Sequence, residues 1–268
     1  MPLRPSQRIH IVGVSPRTGT TLLAECMVAC MGIDGFESHE ASVSRLRAGK
    51  RVYLTKRPAD LSAIAPRLRL DPHFHAICLM RDPRDVVVSR HAKDQDRYWT
   101  PLRIWKERLP TVRRLACHPR FTLVRYEDLV ADPDGTAQEL VDRLPFLVLR
   151  HPFTEFPAIA RPSPDAADAL GRVRPFDTAS IGRWRRHLPR LAGQLAQYGP
   201  IAADLIEFGY EPDDAWLSAL SGVTPDLTAS RLGARRRRRW RRHLERSVLP
   251  WLSAGVVLLA RKAGLSIA

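Results

Sequence analysis

The stretch from Ile9 to Glu25, IHIVGVSPRTGTTLLAE, constrains this chain more than any other. An apolar run of strand length, Ile9 to Val14, meets a Ser-Pro-Arg-Thr-Gly turn, and a helical pattern begins with Thr20, Thr21, Leu22 and Leu23. Strand, tight loop and helix N-terminus in that order form an anion cradle, because the loop amides and the positive end of the helix dipole point at one spot. Thr18, Thr20 and Thr21 add hydroxyl donors, and Arg17 adds a fixed positive charge.

Spacing narrows the anion. A triphosphate loop reads G-x-x-x-x-G-K-[ST], its lysine reaching the β and γ phosphates and its last hydroxyl holding magnesium. Here Gly13 and Gly19 stand one residue too far apart, Thr20 occupies the lysine position, and the basic residue, Arg17, precedes the second glycine. Such a loop suits a 5′-phosphate rather than a triphosphate with its metal. Taken alone, it also fits a plain Gly/Thr turn between any strand and helix.

Beyond the first helix, the segment MGIDGFESHEAS reads as a loop leading to Val52-Tyr53-Leu54-Thr55, a short β-rich run stopped by Lys56-Arg57-Pro58. Leu61 to Leu70 has helical spacing, Phe74 to Met80 is a buried-strand run, and Pro83 suits the first turn of a helix. A helix is predicted from about Pro101 to Ala116, a strand over Phe121 to Val124, and helical structure again from Gln138, in 180–187 and in 198–210. Alternating strands and helices predict an α/β fold: a P-loop-like three-layer sandwich around a parallel sheet. Ligands of such sheets lie beyond the carboxyl ends of the strands, where Arg17, Lys56 and Arg81 all fall.

The 268 residues suffice for one such domain, expected over 1–225, plus a basic helical tail over 226–268. Of the net charge of +15, the tail from Arg231 onward carries +10, eleven Lys/Arg against the single acid Glu245. No apolar leader precedes the first strand, which predicts a cytoplasmic protein. Cys26, Cys30 and Cys78 sit in apolar patterns and read as core filler. His73 and His75 flank a strand entrance in a structural role, and no metal cluster is expected.

Two more segments carry chemistry. Arg81 to Ser89 places an arginine and a hydroxyl around a helix start, which suits either a second phosphate or a solvated helix end. Arg125-Tyr126-Glu127-Asp128-Leu129 follows a strand directly and reads as a helix-initiating turn.

Together these segments resemble the sulfotransferase family that uses 3′-phosphoadenosine 5′-phosphosulfate (PAPS). SPRTGTT at 15–21 is similar to its 5′-phosphosulfate loop, RDPRDVVVSRH at 81–91 to its 3′-phosphate motif, and RYEDL at 125–129 and SIGRW at 180–184 to later segments in the same order. The resemblance implies that Arg17, Thr18, Gly19, Thr20 and Thr21 hold the 5′-phosphosulfate, and that Arg81 and Ser89 hold the 3′-phosphate. It also implies sulfuryl transfer to an acceptor hydroxyl without a metal, with Arg17 and Lys56 stabilising charge on the leaving phosphate. Members acting on small phenols and steroids carry Lys-Thr-His where this chain has Lys56-Arg57-Pro58, so their histidine base is missing. The chain is closer to the carbohydrate and tyrosyl-protein branches, in which a glutamate soon after the loop helix is the base. Glu37, His39 and Glu40 are the candidates, Glu40 first.

In the tail, Arg235 to Arg239, Arg241 and Arg242 precede an apolar run, Val248 to Ala260, too short to span a bilayer. A cationic helix beside a short apolar one suits an anionic membrane surface, at the inner face for a cytoplasmic protein, and makes a carbohydrate, glycolipid or lipid-linked acceptor fit. The arginines equally suit nucleic acid, but no reading motif or array of stacking aromatics accompanies them, and no nucleic-acid partner is expected. The competing functions are a nucleotide kinase with an unusual loop and a non-catalytic nucleic-acid-binding protein.

Overall fold

The computed structural model describes residues 6–37, 40–46, 49–91, 94–171, 173–233 and 248–263. Its centre is a five-stranded, all-parallel sheet formed by β1 (Gln7–Gly13), β2 (Gly35–Phe36), β3 (Val52–Lys56), β4 (Phe74–Met80) and β7 (Phe121–Arg125), in the order β2-β3-β1-β4-β7. A separate antiparallel pair joins β5 (Arg90–His91) to β6 (Asp94–Tyr98).

Strands buried on both faces need apolar side chains at successive positions; β4 has them from Ala76 to Met80, and β1 has Ile9, Ile11 and Val12 around two polar residues, Arg8 and His10. Alternation along each strand feeds two cores. Val12 and Cys78 belong to one and Ile11 and Ile77 to the other, although both residue pairs are register neighbours. The Ile11 and Ile77 face is covered by α1 (Thr20–Cys30), α5 (Tyr126–Ala131) and α6 (Pro133–Arg143). Against the other lie α2 (Ala65–Leu70), α3 (Pro83–Val87), α4 (Leu102–Ala116), α9 (Leu188–Tyr198) and α10 (Ala202–Glu207). These three layers are the α/β sandwich that the alternation predicts. Truncating a fully buried isoleucine such as Ile77 to alanine would cost about 2–5 kcal/mol. Cys26, Cys30 and Cys78 are buried free thiols.

Two short helices, α7 (Phe156–Ile159) and α8 (Pro164–Leu170), follow α6. Residues 226–233, on the tail side of the boundary expected after 225, are hydrogen-bonded to the body. The Asp226 amide donates to Pro189 O at 2.8 Å and the Arg231 amide to Tyr98 O at 2.9 Å. The last helix, α11 (Leu249–Lys262), packs on α2 with Pro250 in its first turn. The arginine run 235–242 lies outside the described residues. Among those described, no helix is long and apolar enough to cross a membrane.

One polar device sits inside the sheet. Arg8 and His10, on β1, are fully buried. His10 Nδ1 is hydrogen-bonded to Thr55 Oγ1 at 2.7 Å, and Nε2 lies 3.4 Å from Asp60. Asp60 in turn accepts from the Val43 amide at 2.7 Å, while the Arg8 guanidinium donates to the carbonyls of Ser42 and Arg45. Buried donors and acceptors must pair, and here the pairing fixes the path of residues 40–46.

Candidate functional site

All four long strands end at one edge, and there the loop after β1 takes its shape from two exceptional backbone positions. Arg17 has φ 72, the one positive φ at a non-glycine residue among those described, and Gly19 has φ 90. Left-handed residues turn successive amides toward a common point, at a cost of about 1 kcal/mol or more for a side-chain-bearing residue. A Cβ on Gly19 would lie 2.5 Å from Tyr126 Cδ2, and one on Gly13 would lie 2.5 Å from Thr18 Oγ1. Both glycines are thus required by close approach. Thr18 is buried and donates to Ser15 O at 3.0 Å, closing the turn from inside. Behind the loop, Arg108 of α4 donates to Gly13 O at 3.1 Å and Val14 O at 3.3 Å.

The segment after β4 meets this loop. Arg81 Nη2 donates to Ser180 O at 2.8 Å, and its guanidinium lies 4.4 Å from the Tyr126 ring centroid. The Tyr126 hydroxyl is 2.8 Å from Ser180 Oγ. Asp85 accepts from the amides of Gly182 at 2.8 Å and Trp184 at 2.9 Å, which anchors the SIGRW segment on α3. Four stretches distant in sequence, around residues 17, 81, 126 and 180, therefore converge. Arg84 is engaged elsewhere, paired with Asp82 and Glu211 between the rings of Trp184 and Trp216.

The convergence encloses a cavity of about 460 Å³, large enough for a nucleotide-sized ligand. Burial, with Arg81 close by, pulls the Arg17 guanidinium below its ordinary pKa. Arg17 Nε and Arg81 Nε are buried without hydrogen-bond partners. Two neighbouring cations with unfilled donors on one wall repel each other until an anion lies between them, so these residues fit a phosphorylated ligand. Ser89 also lines the cavity, its hydroxyl donating to Val86 O at 2.8 Å. To donate to a ligand it must rotate off that carbonyl.

At the end of β3, Lys56 Nζ donates to Thr21 Oγ1 at 3.1 Å and lies 3.9 Å from Glu40 Oε1. Burial lowers its pKa, opposed by Glu40 and then Glu25. Glu25, on α1, lines the same cavity, and burial raises its carboxyl against the pull of Lys56. Nothing in the sequence pattern singled out Glu25; its one signal is an acid a helical turn after Thr21, facing the direction the loop faces.

The sequence candidates thus divide. Arg17, Gly19, Thr20, Thr21, Lys56, Arg81, Ser89 and Glu40 line one cavity. Thr18 faces inward beneath the loop. Glu37 accepts from the Tyr53 hydroxyl at 2.9 Å, sits 3.7 Å from Arg45 and is not part of the cavity wall. His39 lies outside the described residues. The far wall carries Phe156 and Phe176, with ring centroids 6.3 Å apart, together with Asp165, Asp168 and Arg174. No cluster of three His, Cys, Asp or Glu suited to a metal occurs among the described residues.

Residues 33–146 match the model of the sulfotransferase family. That span holds Glu40, Lys56, Arg81, Ser89 and the RYEDL segment, and leaves out the 15–21 loop. No curated protein matches the chain. Among solved structures, mouse sulfotransferase SULT7A1 complexed with PAP is 15% identical, with a TM-score of 0.46 over 75% of this chain and 85% of that one. Retinol dehydratase, in complex with androsterone and inactive cofactor PAP, is 12% identical, with a TM-score of 0.41 over 80% and 83%. Sulfotransferase STF1 from Mycobacterium tuberculosis H37Rv is 15% identical, with a TM-score of 0.35 over 67% and 74%.

Proposed function

We propose, from the match of residues 33–146 to the sulfotransferase family, that this chain moves a sulfuryl group from PAPS to an acceptor hydroxyl. The single observation that carries the donor is the pair of guanidiniums, Arg17 and Arg81, whose buried Nε donors have no partner, in one cavity lining. One arginine opposite a helix N-terminus suits a single phosphate. A second, on a separate segment, suits a ligand phosphorylated at both ends.

PAPS, when bound, supplies a sulfuryl group on a phosphosulfate anhydride. Arg17, the loop amides and the Thr20 and Thr21 hydroxyls would grip its 5′ end, and Arg81 with Ser89 its 3′-phosphate. As the acceptor oxygen bonds to sulfur, the bond from sulfur to the bridging oxygen breaks and negative charge gathers on the departing phosphate. The buried Lys56 ammonium, held by Thr21, stabilises that charge. The acceptor's proton passes to the Glu40 carboxylate, and adenosine 3′,5′-bisphosphate leaves.

The acceptor wall supports a polyhydroxylated, carbohydrate-bearing substrate. The half-buried ring of Phe176, backed by the buried Phe156, offers an aromatic face to a sugar ring, and carboxylates such as Asp165 and Asp168 accept from sugar hydroxyls.

Calorimetry in metal-free buffer tests the donor. Adenosine 3′,5′-bisphosphate binding tightly, with ATP weak and unaided by magnesium, is the expected result. ATP binding that requires magnesium would favour a nucleotide kinase instead.

A further inference from the structure

The last helix has two faces, and the fold uses only one. Pro250, Ala254 and Val257 are buried toward the body, and Arg261 lies 3.4 Å from Asp71 and donates to Ser6 O at 3.0 Å. On the opposite side, Leu249, Leu252, Val256 and Leu259 follow one another at three- and four-residue steps and form a continuous apolar stripe. Leu252 is 60% exposed and Leu259 69%, and Trp251 and Val248 flank the stripe at 47% and 39%. Six of the eleven exposed large hydrophobic side chains among the described residues fall between 248 and 259. Scattered single exposures need no explanation, but a contiguous patch marks a binding surface.

We infer that α11 seats the protein on an anionic membrane surface, with its leucine stripe in the acyl boundary and the adjoining arginines against the headgroups. The occupant follows from charge. From Arg231 onward the chain carries eleven Lys/Arg against Glu245 alone, and seven of those arginines lie in 235–242, shortly before the stripe begins. A second copy of this chain on the stripe would cover the apolar side chains but bring only more positive charge, leaving the arginines unneutralised. A nucleic acid would use the arginines and leave four leucine and valine side chains in water. Anionic lipid satisfies both features, because acyl chains take up the stripe while headgroup phosphates neutralise the arginines. At 14 residues α11 is about 21 Å long, which suits lying in the interface rather than spanning it. This surface does not depend on the donor or acceptor proposed above.

Flotation of the full chain with vesicles tests the proposal. One set contains phosphatidylglycerol and phosphatidylcholine in equal parts, and the other phosphatidylcholine alone. The expected result is flotation with the anionic set only, weakened by salt. In the Leu252→Asp/Leu259→Asp variant, at the two most exposed positions of the stripe, partitioning falls by about tenfold or more per residue. Sedimentation equilibrium without lipid accompanies it, and a monomer in both proteins is expected. Failure of the parent to float, or flotation unchanged by the variant, overturns the proposal. A lipid-free dimer that the variant splits overturns it too, in favour of a second copy on the stripe.

Discussion

Arg81 Nη1 donates to the main-chain oxygen of Arg17 at 3.3 Å, so a residue from the second motif braces the loop that forms the first. This contact makes a binding experiment informative. Arg81→Ala should lower affinity for adenosine 3′,5′-bisphosphate roughly tenfold to a hundredfold, the worth of a hydrogen bond to a charged group. Affinity for adenosine 5′-phosphate should fall much less. Calorimetry with both ligands reads the difference, and an equal loss would mean that Arg81 acts only through the Arg17 loop.

Two carboxylates share Lys56, and they should separate kinetically. Glu40→Gln is expected to reduce turnover by roughly 10²–10⁴-fold with donor affinity retained. Glu25 and Glu40 both hold the Lys56 pKa up against burial. Removing the Glu25 charge lets that pKa fall further, so Lys56 loses its proton earlier as pH rises. Glu25→Gln should therefore move the alkaline limb of the rate profile to lower pH. A larger turnover loss in Glu25→Gln than in Glu40→Gln would transfer the base role to Glu25.

Asp85→Asn tests the anchor of residues 180–184. The amide retains one acceptor but turns its NH₂ toward a backbone amide, at a cost of about 1–3 kcal/mol for a buried donor left unpaired. Faster hydrogen exchange across 180–186 and weaker adenosine 3′,5′-bisphosphate binding are expected, since Ser180 supports Arg81. Unchanged exchange would show that Trp184 packing alone holds the segment.

Acid should destabilise the protein partly through His75. Its imidazole packs 4.9 Å from the Phe146 ring, and burial, aided by Arg120, lowers its pKa from 6.5 to about 4. Between those values the unfolded chain takes up a proton that the folded chain refuses, so this contribution is intact above pH 6.5 and is lost as pH falls toward 4. Urea midpoints measured down that range should decline, and less steeply in His75→Gln. Burial lowers His10 and His73 as well, so the slope is reduced, not abolished.

The sheet was legible because β4 is apolar at successive positions and β1 mostly so from Ile9 onward, a signal that exposed strands lack. β6, with the sequence DQDRY, has no apolar alternation, and β5 and β2 are two residues each; only pairing partners define them. The helix expected to start at Pro83 does so, and it ends at Val87, three residues before β5 begins at Arg90. At the site, the loop and Arg81 could be read from spacing. The difference in setting between Glu37 and Glu40 could not, since it rests on Tyr53, Arg45 and Lys56 reaching them across the fold. Glu25 was overlooked for a related reason: its position one turn after Thr21 gives its direction, but that Lys56 and the cavity lie there follows only from the fold.

The His10, Asp60 and Arg8 network beneath residues 40–46 has a consequence for how such a protein diverges. The carboxylate of Glu40 rides on a segment clamped from below by groups that cannot be exchanged singly without stranding a buried charge or dipole. That side of the cleft is the chemically committed one. The short helices between 153 and 177, which bring Phe176, Asp165 and Asp168 to the same cavity, are where new acceptors can be accommodated by substitution while the transfer chemistry stays in place.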